Sequence, residues 1–485
     1  MRRRGWHLPP VIRVSRKARA SKTNPQAIEA RGRQRVLLPP SELALLSLAG
    51  SFAALIAIGT MTLLLPIASA GPGHADFVTA LFTATSAVCV TGLIVVNSAD
   101  YWSPVGQTAI VVMMFMGGLG IMTAGMVILV AVGRRITLNQ RLLVRDTMGG
   151  ATLGGAIKLG RYVILFALAA QFVGFVLLFI RLSFKFSAVD AAKHSFFHSV
   201  SAFNNAGFTI FKDSESLSRF QSDPTTLAII GALIVVGAFS FPVIAELARR
   251  RRMSEWSVDT KLVLVGTFAL WGAGVFTMLV FEMTNGSTLG GMSIIDKITN
   301  GAFQAVTART AGFSTIDFSH TRGGTDFLFL FMMFIGGASG SVAGGIKVNT
   351  LMILVFAALG SLKGRDRTEL FKRELPGPQV VRALALVILA MIIMGLLVTA
   401  LAFVERHNLD ARVFGFMDLL FEATSAFGTA GLSKGITPNL TDPGKIAITL
   451  AMFVGRLGPL TIALGLALRE RRPVYRFAQE QVRIG

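Results

Sequence analysis

Thr424 to Leu432 reads TSAFGTAGL, the end of a short helix running straight into an extended turn. The chain says nearly the same thing three times before: Ser86 to Leu93 is SAVCVTGL, Ser201 to Phe208 is SAFNNAGF, and Val306 to Phe313 is VTARTAGF. Aligned on their last glycine, the four copies place Gly92, Gly207, Gly312 and Gly431 in one column, each followed by a large apolar residue. Recurrence at such near-equal intervals is an internal repeat, and it frames every other feature of the chain.

Composition sets the medium. Of the 485 residues 53% are hydrophobic and 15% charged, and the mean hydropathy is +0.63. A helix needs about 20 apolar residues to cross a bilayer. Many stretches here supply them, so the chain reads as an integral membrane protein. A net charge of +21 would suggest nucleic acid in a soluble protein. Here the positive charge falls between apolar spans, which is the positive-inside bias, with anionic cytoplasmic lipid as partner and no nucleic acid. The single cysteine, Cys89, excludes an intrachain disulfide and a cysteine-based metal cluster.

Residues 1–40 carry eleven Lys or Arg against one acid, Glu29. No apolar stretch follows the first arginines closely, so this is not a secretory signal. It imitates a transit peptide, but a disordered cytoplasmic tail is the simpler reading. Long, short and long apolar segments then repeat. The first unit has Glu42–Leu65, Phe77–Val88 and Pro104–Val132, and the second Leu159–Leu182, Ala191–Ala202 and Thr225–Leu247. The third has Val258–Phe281, Ile294–Ala308 and Phe327–Ser361, and the fourth Val380–Val404, Phe414–Ala426 and Lys445–Leu468. A twelve-residue helix such as Phe77–Val88 reaches only about 18 Å, too short to span.

The expected fold is therefore an all-α membrane protein of four tandem helix–re-entrant pore loop–helix units. Eight transmembrane helices and four half-length pore helices take a pseudo-fourfold arrangement around one pore. The expected divisions are a tail (1–40), the first unit with an amphipathic cytoplasmic linker (41–150), and the second unit (151–256). The third unit (257–376), the fourth (377–472) and a C-terminal tail (473–485) follow. Basic clusters (Arg134, Arg135, Arg141, Arg145; Arg249 to Arg252; Lys363, Arg365, Arg367; Arg469, Arg471, Arg472) fall on one side of this plan. The flanks of the short helices are mixed or acidic, so both termini are expected in the cytoplasm, with the chain in the plasma membrane.

A half-length helix ending in irregular backbone at membrane depth survives only inside protein or along a water-filled path. The C-terminal end of each short helix carries partial negative charge. Carbonyls before each glycine can then replace the water of a permeating cation, and glycine lets that backbone come close. The expected filter residues are Val90, Thr91 and Gly92; Asn205, Ala206 and Gly207; Thr310, Ala311 and Gly312; and Thr429, Ala430 and Gly431. None is acidic, which favours a weakly hydrated monovalent cation.

At these residues the chain resembles a family. TSAVCVTGL, SAFNNAGF, TARTAGF and FEATSAFGTAGL are similar to the Trk/Ktr/HKT superfamily of potassium transporters, most nearly the KtrB-type membrane subunit, over about residues 41–472. The resemblance implies potassium uptake through a channel-like pore, a homodimer with one pore per protomer, and often sodium-stimulated transport. It also implies that glycine at all four filter positions, Gly92 included, goes with potassium selectivity. Nucleotide control is implied only through a cytoplasmic ring of RCK type, because the chain has neither a Rossmann nor a P-loop fingerprint. The third loop departs from strict symmetry: Phe303 to Gly312 is one residue shorter than Phe82 to Gly92, and it carries Arg309.

The second long segment of unit three is interrupted by GGASGSVAGGIK, Gly336 to Lys347. Each helical glycine costs about 1 kcal/mol relative to alanine, so the span should break here. Close helix packing through small residues is one reading; a mobile gate formed by Gly336, Gly337, Ala338, Ser339, Gly340, Ser341, Gly344, Gly345 and Lys347 is the sharper one. Arg456, midway along the last span, is expected to hold this loop's carbonyls and set a barrier to cations. Lys347 either works with the loop or snorkels to the cytoplasmic interface, and Arg309 is expected to brace its own loop by bonding local carbonyls. Glu422 should pair with backbone or an arginine. His194, His198 and Cys89 read as structural. A secondary transporter with a midplane site would need inverted repeats and paired intramembrane acids. An enzyme would need clustered His, Asp, Glu or Cys on facing spans. Neither pattern is present in the sequence.

Overall fold

The computed structural model describes residues 40–71, 73–133, 153–212, 216–365 and 367–468. The expected N-terminal tail, the amphipathic linker 134–150 and the tail 473–485 lie outside these residues. So do the arginines of the linker and those at Arg469, Arg471 and Arg472.

The principal helices in chain order are α1 (Pro40–Leu63), α2 (Phe77–Val88), α3 (Pro104–Gly133), α4 (Leu153–Leu182) and α5 (Ala188–Phe203). Next come α6 (Pro224–Ala238), α7 (Phe241–Arg249), α8 (Val258–Thr277), α9 (Ile294–Thr307), α10 (Gly323–Phe334) and α11 (Val348–Leu362). The last are α12 (Gly377–Val404), α13 (Phe416–Gly428) and α14 (Asp442–Leu468). Among the described residues the only strands are Glu369–Leu370 and Arg373–Glu374, a small antiparallel hairpin.

Among the described residues three helices are each long and apolar enough to cross a membrane: Gly160–Leu182 within α4, α8 extended to Glu282, and α12. Helices α1, α3 and α14, of 24, 30 and 27 residues, also exceed the length that a roughly 30 Å hydrocarbon core requires. Side chains such as Phe172, Phe268, Ile392 and Leu396 stand outward and exposed, which suits lipid rather than water.

One expected span is not straight. The segment read as Thr225–Leu247 is two helices, α6 and α7, bent by 101°. The cause is Pro242. It has no N–H for the carbonyl four residues back, and its ring clashes with that carbonyl. That carbonyl belongs to Ala238, which instead accepts from the amide of Ala338 at 3.1 Å. The segment read as Phe327–Ser361 breaks too, stopping at Phe334 and resuming at Val348.

The short helices α2, α5, α9 and α13 have 12, 16, 14 and 13 residues. Side chains fix where they start. Asp76 accepts from the amide of Val78 at 3.0 Å, and Ser187 and Ser293 accept from those of Asp190 and Asp296 at 3.2 Å each. In the fourth, Asp418 reaches back to the amide of Gly415 at 2.8 Å. Each is an N-cap interaction that satisfies an otherwise orphaned donor. Their inner ends are buried among Phe82, Phe203, Phe208, Phe313, Phe421 and Phe427.

Buried acids stitch successive long helices together. Glu282 accepts from the Arg322 amide at 2.9 Å and the Thr325 hydroxyl at 2.5 Å, at the start of α10. Glu405, just past α12, accepts from the Thr441 amide at 2.9 Å and hydroxyl at 2.6 Å, at the start of α14. Asp223 caps α6 and is held by Arg181 and Lys185 from the end of α4, at 3.1 and 2.7 Å.

Candidate functional site

All four short helices end alike. The residue two before each column glycine is left-handed although it is not glycine: Val90, Asn205, Thr310 and Thr429, with φ of 55, 56, 73 and 49°. The glycines themselves are left-handed too, with φ of 95, 72, 75 and 83° at Gly92, Gly207, Gly312 and Gly431. In three loops the residue between them closes the helix with a bond five residues back. Thr91 donates to Ser86, Ala206 to Ser201 and Ala430 to Ser425, each at 2.8 Å, the outer bond of a Schellman-type end. The third loop, one residue shorter, closes four back instead, Ala311 to Thr307 at 3.0 Å. The deletion is thus absorbed inside the helix end. Left-handed backbone at a β-branched residue costs about 1–3 kcal/mol and persists where surrounding structure imposes it; sequence alone gives no sign of it.

The four turns meet one another at their column glycines. A β-carbon on Gly92 would lie 2.6 Å from the carbonyl oxygen of Ala206, and one on Gly207 would lie 2.8 Å from that of Ala311. One on Gly312 would lie 3.1 Å from that of Ala430, and one on Gly431 would overlap that of Thr91. The contacts run from first loop to second, third, fourth and back to first. Hydroxyls buttress the turns: the Gly92 amide donates to Ser86 Oγ at 3.1 Å, and Ser201 Oγ donates to the Phe208 carbonyl at 2.8 Å. Thr91, Thr310 and Thr429 are fully buried, and their hydroxyls meet no partner among the described residues.

Beside this cluster lies the glycine-rich loop. Its neck is pinched by a parallel bridge between Ile335 and Ile346, with the Gly336 amide donating to Ile346 at 2.8 Å. Gly344 lies against the hydroxyl of Thr429, and a β-carbon on Gly345 would stand 3.4 Å from the carbonyl of Gly428. The other units hold it as well. Ala338 and Val342 donate to Ala238 and Gly237 at 3.1 and 3.4 Å. Arg456 Nη1 donates to the Val342 carbonyl and Nη2 to that of Gly117 at 3.5 Å. The Ser339 amide donates to Asn349 at 3.2 Å, Ser341 Oγ bonds the Ala338 carbonyl at 2.8 Å, and Gly340 is left-handed with φ 80°.

Several expectations change in detail. Lys347 does not snorkel outward: its ammonium turns back onto the carbonyl of Ala343. Arg309 does not brace its own loop but donates from Nη2 to Gly336 at 2.8 Å, because helix α10 breaks there and frees a carbonyl within reach. Glu422 meets the backbone alternative of its two expected partners: it accepts from the Lys434 amide, and also from the hydroxyls of Ser433 and Thr437. His194 and His198 stack on Phe211, centroids 4.6 and 4.1 Å away, and Cys89 is buried.

A second glycine column went unread in the sequence. Gly117, Gly237 and Gly455 press on the helix-end carbonyls of Val88, Phe203 and Phe427, whereas Gly336 presses on a carbonyl of the glycine-rich loop itself, that of Gly344. They follow the loop glycines at similar intervals (92 to 117, 207 to 237, 312 to 336, 431 to 455). Alignment of the repeat beyond the turns would have found them.

Residues 44–471 match the family model described as TrkH, cation transport protein. The chain belongs to this family. Within the TrkH family it is 38% identical to the Ktr system potassium uptake protein B of Bacillus subtilis, over 89% of this chain and 94% of that protein. It is 34% identical to the potassium/sodium uptake protein NtpJ of Enterococcus hirae, over 93% and 99%. The crystal structure of the potassium transporter TrkH from Vibrio parahaemolyticus shares the fold, with a TM-score of 0.68 at 17% identity, covering 88% of this chain and 85% of that one.

Proposed function

We propose that this chain takes up potassium across the plasma membrane through a path bounded by the four turns, with backbone carbonyls before Gly92, Gly207, Gly312 and Gly431 replacing the ion's water. The observation that carries this reading is the closed cycle of contacts, in which each column glycine makes room for a carbonyl of the next loop. A β-carbon at any of the four would crowd that carbonyl. Aligned helix C-termini add partial negative charge, and the unpartnered threonine hydroxyls fit a polar ion path.

The loop from Gly336 to Lys347 is the gate in this reading. Its seat against Gly428 and Thr429, and its tethers to Arg456 and to the broken end of α6, support a part that blocks or admits ions. The Arg456 guanidinium adds a barrier to cations. Four units, divided at about residues 150, 256 and 376, surround the path, and both termini face the cytoplasm with the basic loops against anionic lipid. The chain acts as a homodimer. The naming of its relatives as parts of a Ktr system supports a second subunit, which we take to be a nucleotide-binding ring.

A second reading is a sodium- or proton-coupled transporter that discriminates weakly between potassium and sodium. The potassium/sodium uptake named for the Enterococcus hirae relative favours it, and the same name supports sodium stimulation. The deciding experiment is rescue of potassium-limited growth in cells lacking their own uptake systems, with and without Gly92→Ser. Rescue by the natural chain that Gly92→Ser weakens or makes sodium-sensitive is expected. Equal transport of the two ions by the natural chain would overturn the potassium reading.

A further inference from the structure

Arg309 occupies a singular place. In the other loops the residue three before the column glycine is Cys89, Asn204 or Gly428, none of them charged. In the third it is an arginine, 3% exposed, whose backbone adjoins left-handed Thr310. A guanidinium at such depth needs partners. Among the described residues its partner is the carbonyl of Gly336, at 2.8 Å. That oxygen is free because α10 has ended, so the arginine replaces the amide that an unbroken helix would have supplied. Gly336 is also the first glycine of the loop and sits in its pinched neck.

Two buried arginines therefore grip the loop, from different bases. Arg456 stands on a long helix and bonds the loop's far part, at Val342. Arg309 stands on a turn whose carbonyls line the proposed ion path and bonds the loop's root.

We propose, resting on the reading above, that Arg309 is a positioning residue that couples the gate to the filter. When the loop moves, its root pulls through the guanidinium on the backbone of Arg309 and Thr310. The third turn then holds its ion-selecting shape only while the loop is seated. Conduction and ion preference are thereby linked at one side chain, whereas Arg456 acts on conduction alone.

The test uses the full chain in liposomes, measuring potassium and sodium flux for the natural protein, Arg309→Met, Arg309→Lys and Arg456→Met. A further pair carries a deletion of Ser339 to Ala343 with and without Arg309→Met. Arg309→Met is expected to raise potassium flux several-fold and lower the potassium-to-sodium ratio several-fold, with Arg309→Lys between it and the natural chain. Arg456→Met should raise flux at an unchanged ratio. In the deleted chain Arg309→Met should add nothing further to flux. If Arg309→Met does not yield a monodisperse protein, Arg309→Lys carries the test, and natural flux and ratio in it overturn the coupling. The coupling is likewise overturned if Arg309→Met leaves flux unchanged, or raises it by the same factor with the loop deleted. A natural chain that moves no potassium would instead overturn the underlying reading.

Discussion

The carbonyl oxygen of Thr91 in the first loop occupies the space where a β-carbon of Gly431 in the fourth would stand. This contact closes the cycle of turns, and it ranks the four glycines. Gly431 is the tightest, Gly92 and Gly207 follow at 2.6 and 2.8 Å, and Gly312 is loosest at 3.1 Å. Alanine also meets left-handed strain at each, about 1–3 kcal/mol. Potassium flux in liposomes should fall most for Gly431→Ala and least for Gly312→Ala. A reversed order would separate the contacts from transport.

Much of this architecture was open to reading in advance, for reasons visible in particular residues. Glycine before a large apolar residue, four times, marks turns because glycine alone enters left-handed backbone freely. The half-length helices were legible because short apolar runs recur between long ones, too short to span; their caps at Asp76, Ser187 and Ser293 went unread, which is why the second helix begins at Ala188 rather than Ala191. The bend at Pro242 was missed because the apolar run continues through it, and hydropathy is blind to a lost N–H. The reach of Arg309 to Gly336 was missed because it joins residues 27 positions apart in sequence, with no local signature. The left-handed state of Val90 is imposed by packing against its own residue preference.

Arg456 donates to Val342 inside the glycine-rich loop. Removing it withdraws a charge-assisted bond of a kind that contributes about 1.5–3 kcal/mol and lowers the barrier to cations. Arg456→Ala should raise potassium leak from loaded liposomes by roughly tenfold, the factor that about 1.4 kcal/mol represents. Deletion of Ser339 to Ala343 should do at least as much. Natural flux in both variants would sink the gate.

Gly455 packs so closely on the Phe427 carbonyl that a methyl group has no room, and Gly117 does the same on Val88. Overpacking of this kind costs about 1–3 kcal/mol. Gly455→Ala and Gly117→Ala should each lower the Tm in detergent, whereas Gly395→Ala, which meets open space inside α12, should leave it unchanged or raise it, because alanine is the better helix former. Equal Tm values for all three would mean that the helix ends yield without cost.

Asp223 offers a pH test outside the spans. Burial alone would raise its pKa, but hydrogen bonds from Lys185, Thr226 and Arg181 outweigh that and hold the carboxyl well below its ordinary 3.8. An acid with a depressed folded pKa stabilises the fold fully above its unfolded value, and that contribution is lost as pH falls through the folded value. The window therefore opens near 3.8 and extends below it. The partners Arg181 and Lys185 are about a third exposed, so solvent screens the ion pairs and the N-cap to Thr226 carries much of the effect. Losing such a cap costs about 0.5–2 kcal/mol. Asp223→Ala should lower the Tm in detergent at pH 7, and the gap to the natural chain should narrow as pH drops below 3.8. A gap that stays constant across that range would show that the charge of Asp223 contributes nothing to stability.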